Sequence, residues 1–248
     1  MVATAMRVAV ISDVHGNQLA LEAVLADIER EAPDALWCLG DLVGYGPHPN
    51  ECCTIVARRA DICLVGNHDL VALGTAGVDV NDFNPEAAAA ALWTRSELTD
   101  ESRAFLERLS PTATVEGVEL YHASPRDPVW EYVLTPEAAL AAFRLTSSDL
   151  VLVGHSHVAL SLRYEDGTSL GGLAPAGTEL ELTDRRLLNP GSVGQPRDGD
   201  PRAAWLLLDT ARRFARFLRV PYSVERTQAE IRRRGLPESL AVRLALGH

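Results

Sequence analysis

The 248-residue sequence lacks any apolar run that approaches the roughly 20 residues needed to cross a bilayer. Its first residues, MVATAMRVAVISD, have no basic start followed by an apolar stretch and a cleavage site, so we expect no signal peptide. The four cysteines, Cys38, Cys52, Cys53 and Cys63, form no CxxC pair or other metal-type spacing. We therefore expect a cytoplasmic protein with reduced thiols and no membrane partner.

The chain also lacks an excess of basic residues. Lys and Arg number 23 against 34 Asp and Glu, and the formal net charge is −11. No surplus of cations is available to release counterions from a polyanion, which argues against nucleic acid as a partner. The basic runs ARRFARFLR and IRRRG near the C-terminus are typical of solvated strand and helix faces. A phosphate-bearing substrate would therefore need a local source of positive charge.

The remaining composition, 47% hydrophobic and 23% charged residues, is that of an ordinary globular protein with ample material for a core. In the first part of the chain, predicted strands alternate with predicted helices. MRVAVISD, ALWCLGD and DICLVGNHD are short apolar runs typical of buried strands. Helices are predicted from Gln18 to Arg30, with Asn17 as N-cap, and near Glu51 to Arg59. This alternation is typical of a parallel sheet with helices outside.

Later segments are mostly predicted strands, including a hairpin at TATVEGVELYHAS and another around the Asp166-Gly167 turn. Further helices are predicted at Asn84-Pro85-Glu86 (running to about Leu98), Thr135-Pro136-Glu137, Val224 to Arg234 and Pro237 to Leu246. We therefore predict an α/β fold in which two sheets pack face to face with helices outside. One domain should span residues 1–248, with the helices of about 224–246 packing on it.

Polar residues follow five of the predicted apolar strands. The strand ends read Ser12-Asp13-Val14-His15, Gly40-Asp41, Gly66-Asn67-His68-Asp69, Tyr121-His122 and Gly154-His155-Ser156-His157. Ligand groups converge at the carboxyl ends of strands in open α/β sheets. Five of the seven histidines lie at such ends, which favours a shared site over five separate structural roles.

The spacing of these residues gives a physical reason for metal binding. In an extended segment, residues i and i+2 point to the same side, so Asp13 and His15 are expected to bind one ion together. His155 and His157 should project together in the same way. Imidazole, carboxylate and amide donors without a thiolate suit Mn, Fe, Co, Ni or Zn better than a structural zinc. The seven candidate ligands are Asp13, His15, Asp41, Asn67, His122, His155 and His157. They are too many for one tetrahedral ion and suit two ions that share one carboxylate.

The order of these blocks, Asp-x-His, Gly-Asp, Gly-Asn-His-Asp, His and Gly-His-x-His, resembles the calcineurin-like metallophosphoesterase superfamily. The stretches GDLVGYGPHPNEC, HASPRDP and NPGSVGQPRDGDP are similar to a bacterial and archaeal branch of small phosphodiesterase-like proteins. The resemblance implies a four-layer double β-sandwich flanked by helices. It also implies a hydrolase of small phosphoester or nucleotide substrates with two divalent transition-metal ions, and it allows a homodimer.

The resemblance also implies a role for each residue. Asp13, His15, Asp41 and His157 would bind the first metal. Asp41, Asn67, His122 and His155 would bind the second metal, with Asp41 bridging. His68 would stand free of both metals and, with Asn67, contact the substrate.

With neutral histidines, two divalent ions outweigh two aspartates and leave the ligand set positive, as an acidic protein needs to hold a phosphate. The hypothesis is that hydroxide from metal-activated water attacks phosphorus near neutral pH. His68 would then stabilise the transition-state charge or protonate the leaving group.

The second block departs from the Ser/Thr protein phosphatases, which carry Gly-Asp-x-Val-Asp-Arg-Gly. Here Gly44 and Tyr45 stand where those enzymes have the acid that partners the catalytic histidine and the neighbouring arginine. A phosphodiester or nucleotide is therefore preferred over a phosphoprotein or another phosphomonoester. Two other classes stay open. One is a non-catalytic metal-binding scaffold, as in the retromer subunit of similar fold. The other is a nuclease, which the acidic composition disfavours.

Several roles are left open by the sequence. Arg126 and Arg197 lie in predicted loops that could supply a phosphate contact. Tyr45 and His48 could line a pocket for a base or sugar. Asp69 either orients the neighbouring histidine or caps the following turn.

Overall fold

The computed structural model describes residues 6–248. The strands are β1 (Arg7–Ile11), β2 (Ala35–Cys38), β3 (Ile62–Cys63), β4 (Thr112–Val115), β5 (Val118–Tyr121), β6 (Leu150–Val153), β7 (Ala159–Glu165), β8 (Thr168–Leu173), β9 (Glu179–Glu181), β10 (Arg186–Pro190), β11 (Ala203–Asp209) and β12 (Phe214–Val220). The α-helices are α1 (Gln18–Glu31), α2 (Pro49–Arg59), α3 (Asn67–Leu73), α4 (Pro85–Glu97), α5 (Asp100–Leu106), α6 (Pro136–Leu145), α7 (Val224–Arg233) and α8 (Glu238–Val242). Short 3₁₀ turns lie at Val80–Asp82 and Arg243–Ala245. Among the helices of this described range, none combines the length and the apolar character that crossing a bilayer requires.

The strands form two six-stranded mixed sheets, with the orders β3-β2-β1-β11-β12-β9 and β4-β5-β6-β10-β7-β8. In the first sheet, β1, β2 and β3 run parallel to one another. In the second sheet, β5, β6 and β10 are parallel. The carboxyl ends of each parallel set therefore meet at one edge of its sheet.

The alternation of side chains along the strands builds the layers. In β1, Val8 and Val10 join a buried cluster that contains side chains of both sheets, such as Leu152 of β6. Ala9 and Ile11 point the other way and pack with the helices on the outer face. On the far face of the second sheet, α6 packs on β6 and β7. The arrangement of helix, sheet, sheet and helix confirms the predicted fold class.

Most predicted helix starts are also observed. The Asn17 side chain caps α1 by accepting a hydrogen bond from the Ala20 backbone N–H. Two helices, α3 and α5, were not predicted, because each has only seven residues and too few turns to show an apolar stripe. The last predicted helix is shorter than expected, since α8 ends at Val242 and continues as a 3₁₀ turn.

Candidate metal centre

The seven predicted ligands lie just beyond the carboxyl ends of five strands, with Asp13 and His15 after β1, Asp41 after β2, Asn67 after β3, His122 after β5, and His155 and His157 after β6. All seven side chains are buried. Both sheets contribute, because their parallel strands end on the same side of the molecule. The fold thus brings together residues up to 144 positions apart in the chain.

The expectation that Asp13 and His15 share an extended segment was wrong. Their φ angles are 55° and 50°, and those of His155 and His157 are 63° and 59°. Asp41, with φ of 54°, adopts the same left-handed conformation. Such backbone costs on the order of 1–3 kcal/mol per non-glycine residue and clusters at ligand clamps. Tight turns, and not extended geometry, thus bring Asp13 and His15 together. The expectation that His155 and His157 project together was also wrong, because their side chains join two different groups of donors.

Backbone hydrogen bonds hold these turns against each other. The Asp13 N–H donates to the Gly40 carbonyl at 3.0 Å, and the His15 N–H donates to the Asp41 carbonyl at 2.9 Å. The Ser192 hydroxyl donates to the Asp13 carbonyl at 2.8 Å from the loop after β10. The turn at Asp13 and His15 is thus stabilised by partners from two other parts of the chain.

The side chains form two groups of donors that share one aspartate. Asp13, His15, Asp41 and His157 form the first group, and Asp41, His122 and His155 form the second. Within each group, the ligand atoms lie within 4.8 Å of one another. Asp41 Oδ2 is 3.6 Å from His15 Nε2 and 3.6 Å from His122 Nε2, so it stands between the groups. Asn67 Oδ1 lies 3.1 Å from His122 Nε2, which adds an amide oxygen to the second group.

Each of the four histidines is oriented by a backbone carbonyl. The carbonyl contacts are His15 Nδ1 to Val43 at 3.0 Å, His122 Nδ1 to Leu39 at 2.9 Å, His157 Nδ1 to Gln195 at 2.7 Å and His155 Nε2 to Trp130 at 3.1 Å. A carbonyl only accepts, so each of these nitrogens carries the proton and the opposite nitrogen keeps its lone pair. This is the usual way in which metal-binding imidazoles are fixed.

The unprotonated nitrogens of these histidines lie close to other hydrogen-bond acceptors. His15 Nε2 and His157 Nε2 are 2.9 Å apart, although neither carries a proton to share. Asp13 Oδ1 and Asp41 Oδ2 are buried and find no hydrogen-bond partner in the part of the chain that the structure describes, whereas the second oxygen of each carboxylate accepts a backbone N–H. Buried acceptors that converge without a donor are costly unless a cation lies among them. The donor set therefore fits divalent metal ions.

Burial sets the charge of these groups in the protein alone. It raises the pKa of Asp13 to about 7, and the neighbouring Asp41 carboxylate adds to the effect. Burial likewise raises the pKa of Asp41, with Asp69 as the next cause. It lowers the pKa of His15 and His157 well below the ordinary value, so both imidazoles are neutral donors at neutral pH. A divalent cation would reverse the penalty on the carboxylates, because it favours their ionised form.

His68 lies beside this centre but outside both donor groups. Its ring stacks on Phe83 with centroids 4.4 Å apart and contacts the Tyr45 ring at 4.3 Å. Its Nδ1 is buried and has no hydrogen-bond partner among the described residues. A Cβ added at Gly44 would lie 2.6 Å from this nitrogen, so Gly44 leaves no side chain there to orient the ring. Burial lowers the pKa of His68 well below its ordinary value.

Asp69 caps the chain rather than orienting His68. Its carboxylate accepts the Val43 N–H at 3.0 Å and the Gly66 N–H at 2.9 Å, which closes the first turn of α3. The backbone N–H of His68 donates to Asp41 Oδ1 at 2.9 Å. Three consecutive residues therefore have three different functions. Asn67 supplies a donor oxygen, His68 an imidazole outside the donor groups, and Asp69 the cap of α3.

The other four residues whose roles the sequence left open separate into two groups. Arg126 is exposed and pairs with Glu131, and His48 hydrogen-bonds Glu230 at 2.7 Å. By contrast, the Arg197 guanidinium lies over the Tyr45 ring, 5.8 Å from its centroid, and its charge lowers the pKa of His15 and His157 after the larger effect of burial. Arg197 and Tyr45 therefore belong to the centre.

Three aromatic side chains near the centre were missed by the sequence analysis: Phe83, Trp130 and Tyr132. They lie in loops between predicted elements, where no periodic pattern marks them. Only the histidines that they contact could have drawn attention to them.

Comparisons with known proteins agree with this geometry. A family model described as the calcineurin-like phosphoesterase superfamily domain matches residues 6–213. The crystal structure of a metallophosphoesterase from Sphaerobacter thermophilus is similar over 99% of this chain and 100% of that chain, with 41% identity and a TM-score of 0.89.

Two curated proteins are also similar. The uncharacterized protein MJ0912 of Methanocaldococcus jannaschii is 39% identical over 246 residues, which cover 97% of this chain and 98% of that protein. A symmetrical bis(5′-nucleosyl)-tetraphosphatase from Klebsiella pneumoniae is 41% identical over 75 residues, which cover 29% of this chain and 27% of that enzyme.

Proposed function

The chain belongs to the calcineurin-like phosphoesterase superfamily, whose members are metal-dependent hydrolases of phosphoesters, and on this premise we propose that it hydrolyses phosphodiester or nucleotide-type substrates with two divalent metal ions. One observation carries the proposal. Among residues 6–248, Asp41 Oδ2 has no hydrogen-bond partner, and it stands 3.6 Å from a histidine nitrogen of each donor group. A carboxylate oxygen shared in this way suits two ions better than one.

The first ion would be held by Asp13, His15, Asp41 and His157, and the second by Asp41, Asn67, His122 and His155. When bound, such a pair polarises a phosphoryl oxygen and lowers the pKa of water, which provides hydroxide near neutral pH. The protein's part is to orient the four imidazoles through their carbonyl contacts. Burial also lowers the pKa of His15, His155 and His157, which keeps these three imidazoles neutral. Manganese, iron, cobalt, nickel and zinc all remain candidates for this donor set.

His68 would act on the substrate from outside the donor groups. Its backbone N–H holds Asp41, and its side chain belongs to neither of the two donor groups. Because burial keeps its pKa low, the imidazole is neutral and donates a hydrogen bond to the phosphoryl group. We therefore favour charge stabilisation over proton transfer to the leaving group.

Arg197 would supply the positive charge that the second sequence block lacks. Tyr45 occupies the position where protein phosphatases have an arginine, and the Arg197 Nη2 donates to the Tyr45 hydroxyl at 3.2 Å. Arg197 forms none of the ion pairs found among residues 6–248, and its Nε is buried without a partner. An uncompensated guanidinium beside a metal centre is suited to a substrate phosphate.

Replacing Arg197 by Gln should raise the KM for a phosphodiester by about 10-fold or more, because one charge-assisted hydrogen bond is lost. The KM of Arg197→Lys should lie between those of the wild-type protein and Arg197→Gln, since lysine keeps the charge but lacks the planar guanidinium. Steady-state kinetics on the manganese-loaded protein measure the effect. Arg202→Gln is the matched control, because Arg202 pairs with Asp200 nearby in the chain and should leave KM unchanged. An unaltered KM in Arg197→Gln would remove this residue from the substrate site.

Gly44 and Tyr45, the two positions that differ from the protein phosphatases, also favour a diester or nucleotide substrate over a phosphoprotein. Gly44 leaves His68 Nδ1 without the acidic partner of the protein phosphatases. The Klebsiella relative is named for cleavage of a dinucleoside tetraphosphate, which agrees with a nucleotide-type substrate.

The proposal includes one catalytic unit over the whole chain, in which Ile231 and Leu240 of the C-terminal helices pack against Tyr45. Its four cysteines are free, in agreement with a reducing cytoplasmic setting.

Hydrolysis of bis(p-nitrophenyl) phosphate tests the proposal. Protein stripped with a chelator should be inactive, and addition of Mn²⁺, Ni²⁺, Co²⁺ or Zn²⁺ should restore turnover. A panel of dinucleoside polyphosphates, cyclic nucleotides, other phosphodiesters and phosphomonoesters then ranks the substrate classes. Metal bound at two ions per chain without turnover on any of them would instead favour the metal-binding scaffold.

A further inference from the structure

One exposed aromatic ring lies directly on a predicted metal ligand. The Tyr132 ring stacks on the His155 ring with centroids 4.1 Å apart and planes within 17° of parallel. Tyr132 is nevertheless 46% exposed, whereas His155 is 3% exposed. One face of the tyrosine is therefore covered by His155, while nearly half of the residue stays open to solvent.

The loop that carries Tyr132 is anchored on both sides of the ring. The Trp130 carbonyl accepts the His155 Nε2–H at 3.1 Å. Glu131 binds both Arg126 and Ser124 within the same loop. Val133 is 2% exposed and packs in the cluster beneath α6. The ring is thus held in place before any ligand binds, which lowers the entropy cost of stacking.

Other aromatic residues surround the same opening. The Phe83 ring stacks on His68 and meets the Trp130 ring edge to face at 5.6 Å. The sequence has only five Phe, four Trp and five Tyr residues, yet Tyr45, Phe83, Trp130 and Tyr132 all lie beside the metal centre or its aromatic neighbours. Packing of a core accounts for Tyr45, which is buried in a cluster with the C-terminal helices, but it does not explain Tyr132, which is nearly half exposed.

We propose that the open face of Tyr132 is a stacking platform for the nucleobase of a nucleotide substrate whose phosphate binds at the metal centre and Arg197. This inference rests on the proposed phosphoesterase function and names the part of the substrate that lies beside the phosphate. The ring and the guanidinium are neighbours, since Tyr132 lies close enough to Arg197 for their polar groups to interact. Phosphate and base therefore have adjacent binding groups.

A planar base fits this platform better than an acyl chain or a sugar does. The exposed ring is flat and fixed, and it is flanked by charged groups at Arg197 and Glu131, which an acyl chain would desolvate. Every base has a π-face, so stacking needs no particular hydrogen-bond pattern. The platform should therefore favour nucleotides over other phosphoesters and discriminate little among the bases.

Binding of AMP and ribose 5-phosphate isolates the base, because the two ligands share the phosphate and the sugar. Calorimetry on the manganese-loaded wild-type protein should give an affinity for AMP about tenfold higher or more, as expected for one stacked base. Integrity of the nucleotide is checked after each titration. Tyr132→Leu should reduce the affinity ratio to near one, and Tyr132→Phe should keep it. Leu134→Ala, an exposed neighbour in the same loop, should also keep the ratio.

Equal affinities in the wild-type protein would overturn the platform, and so would a preference that survives in Tyr132→Leu. A preference lost equally in Tyr132→Phe would assign it to the hydroxyl group and overturn stacking. Metal content of each variant is measured, because a change at Tyr132 can disturb His155. Turnover of diesters with equal affinities for the two ligands would leave the phosphoesterase intact and remove the platform. A retained preference for AMP without any turnover would support the platform and remove the phosphoesterase function.

Discussion

Asp41→Asn is expected to lose a metal ion and to lower kcat/KM for a phosphodiester by more than about 100-fold. Loss of a residue that merely supports a metal ligand already costs 10–100-fold, and Asp41 is shared by both donor groups. The substitution keeps the volume of the side chain. Its carbonyl oxygen can still accept the His68 N–H, but a neutral amide replaces the unpartnered oxygen between His15 and His122.

Elemental analysis and steady-state kinetics on the same preparation measure the two effects. Asp209→Asn is the matched control, because Asp209 is also a buried carboxylate but ends β11 opposite the amino-terminal end of β1. It should keep two ions per chain and the wild-type rate. Two ions and full activity in Asp41→Asn would show that the carboxylate bridges nothing, and the two-metal proposal would fail.

His68→Ala should lower kcat by about 10²–10³-fold, as for the loss of one hydrogen-bond donor to the transition state, while the metal content stays at the wild-type level. The alanine keeps the backbone N–H that holds Asp41, so the loss reports the imidazole alone. Some stability should also be lost, because the ring packs between Phe83 and Tyr45. Thermal unfolding separates this loss from the change in rate.

The choice of leaving group separates the two roles that His68 could have. A neutral imidazole that donates a hydrogen bond should matter equally for a p-nitrophenyl and an alkyl diester. A proton donor would matter more for the alkyl ester, whose leaving group needs the proton. We expect equal losses. His48→Gln, which removes a histidine paired with Glu230, should leave kcat unchanged. Wild-type kcat in His68→Ala would show that this residue is not catalytic.

Much of the fold could be predicted because its signals are local. The apolar stripe and Asn17 cap of α1 and the proline starts of α4 and α6 are properties of a few adjacent residues. Alternation along β1, with Val8 and Val10 inward and Ala9 and Ile11 outward, follows from strand geometry. The seven-residue helices were missed because so short a segment carries almost no periodic signal.

The sequence by itself determined which residues are brought to the centre. Five polar blocks at strand ends named Asp13, Asp41, Asn67 and their histidine partners, because parallel strands must end together at an edge. It could not determine the left-handed turns, which arise from backbone hydrogen bonds between distant segments.

Only the tertiary structure decided what surrounds the donors. The carbonyls that fix the histidine tautomers, such as Leu39 and Trp130, belong to every residue type and leave no mark in a sequence. The structure also selected Arg197 over Arg126 and placed Tyr132 on His155, since these contacts join loops that are far apart in the chain. Which residues are candidate metal donors follows from the chemistry of adjacent residues, whereas what surrounds the donors depends on packing between distant segments.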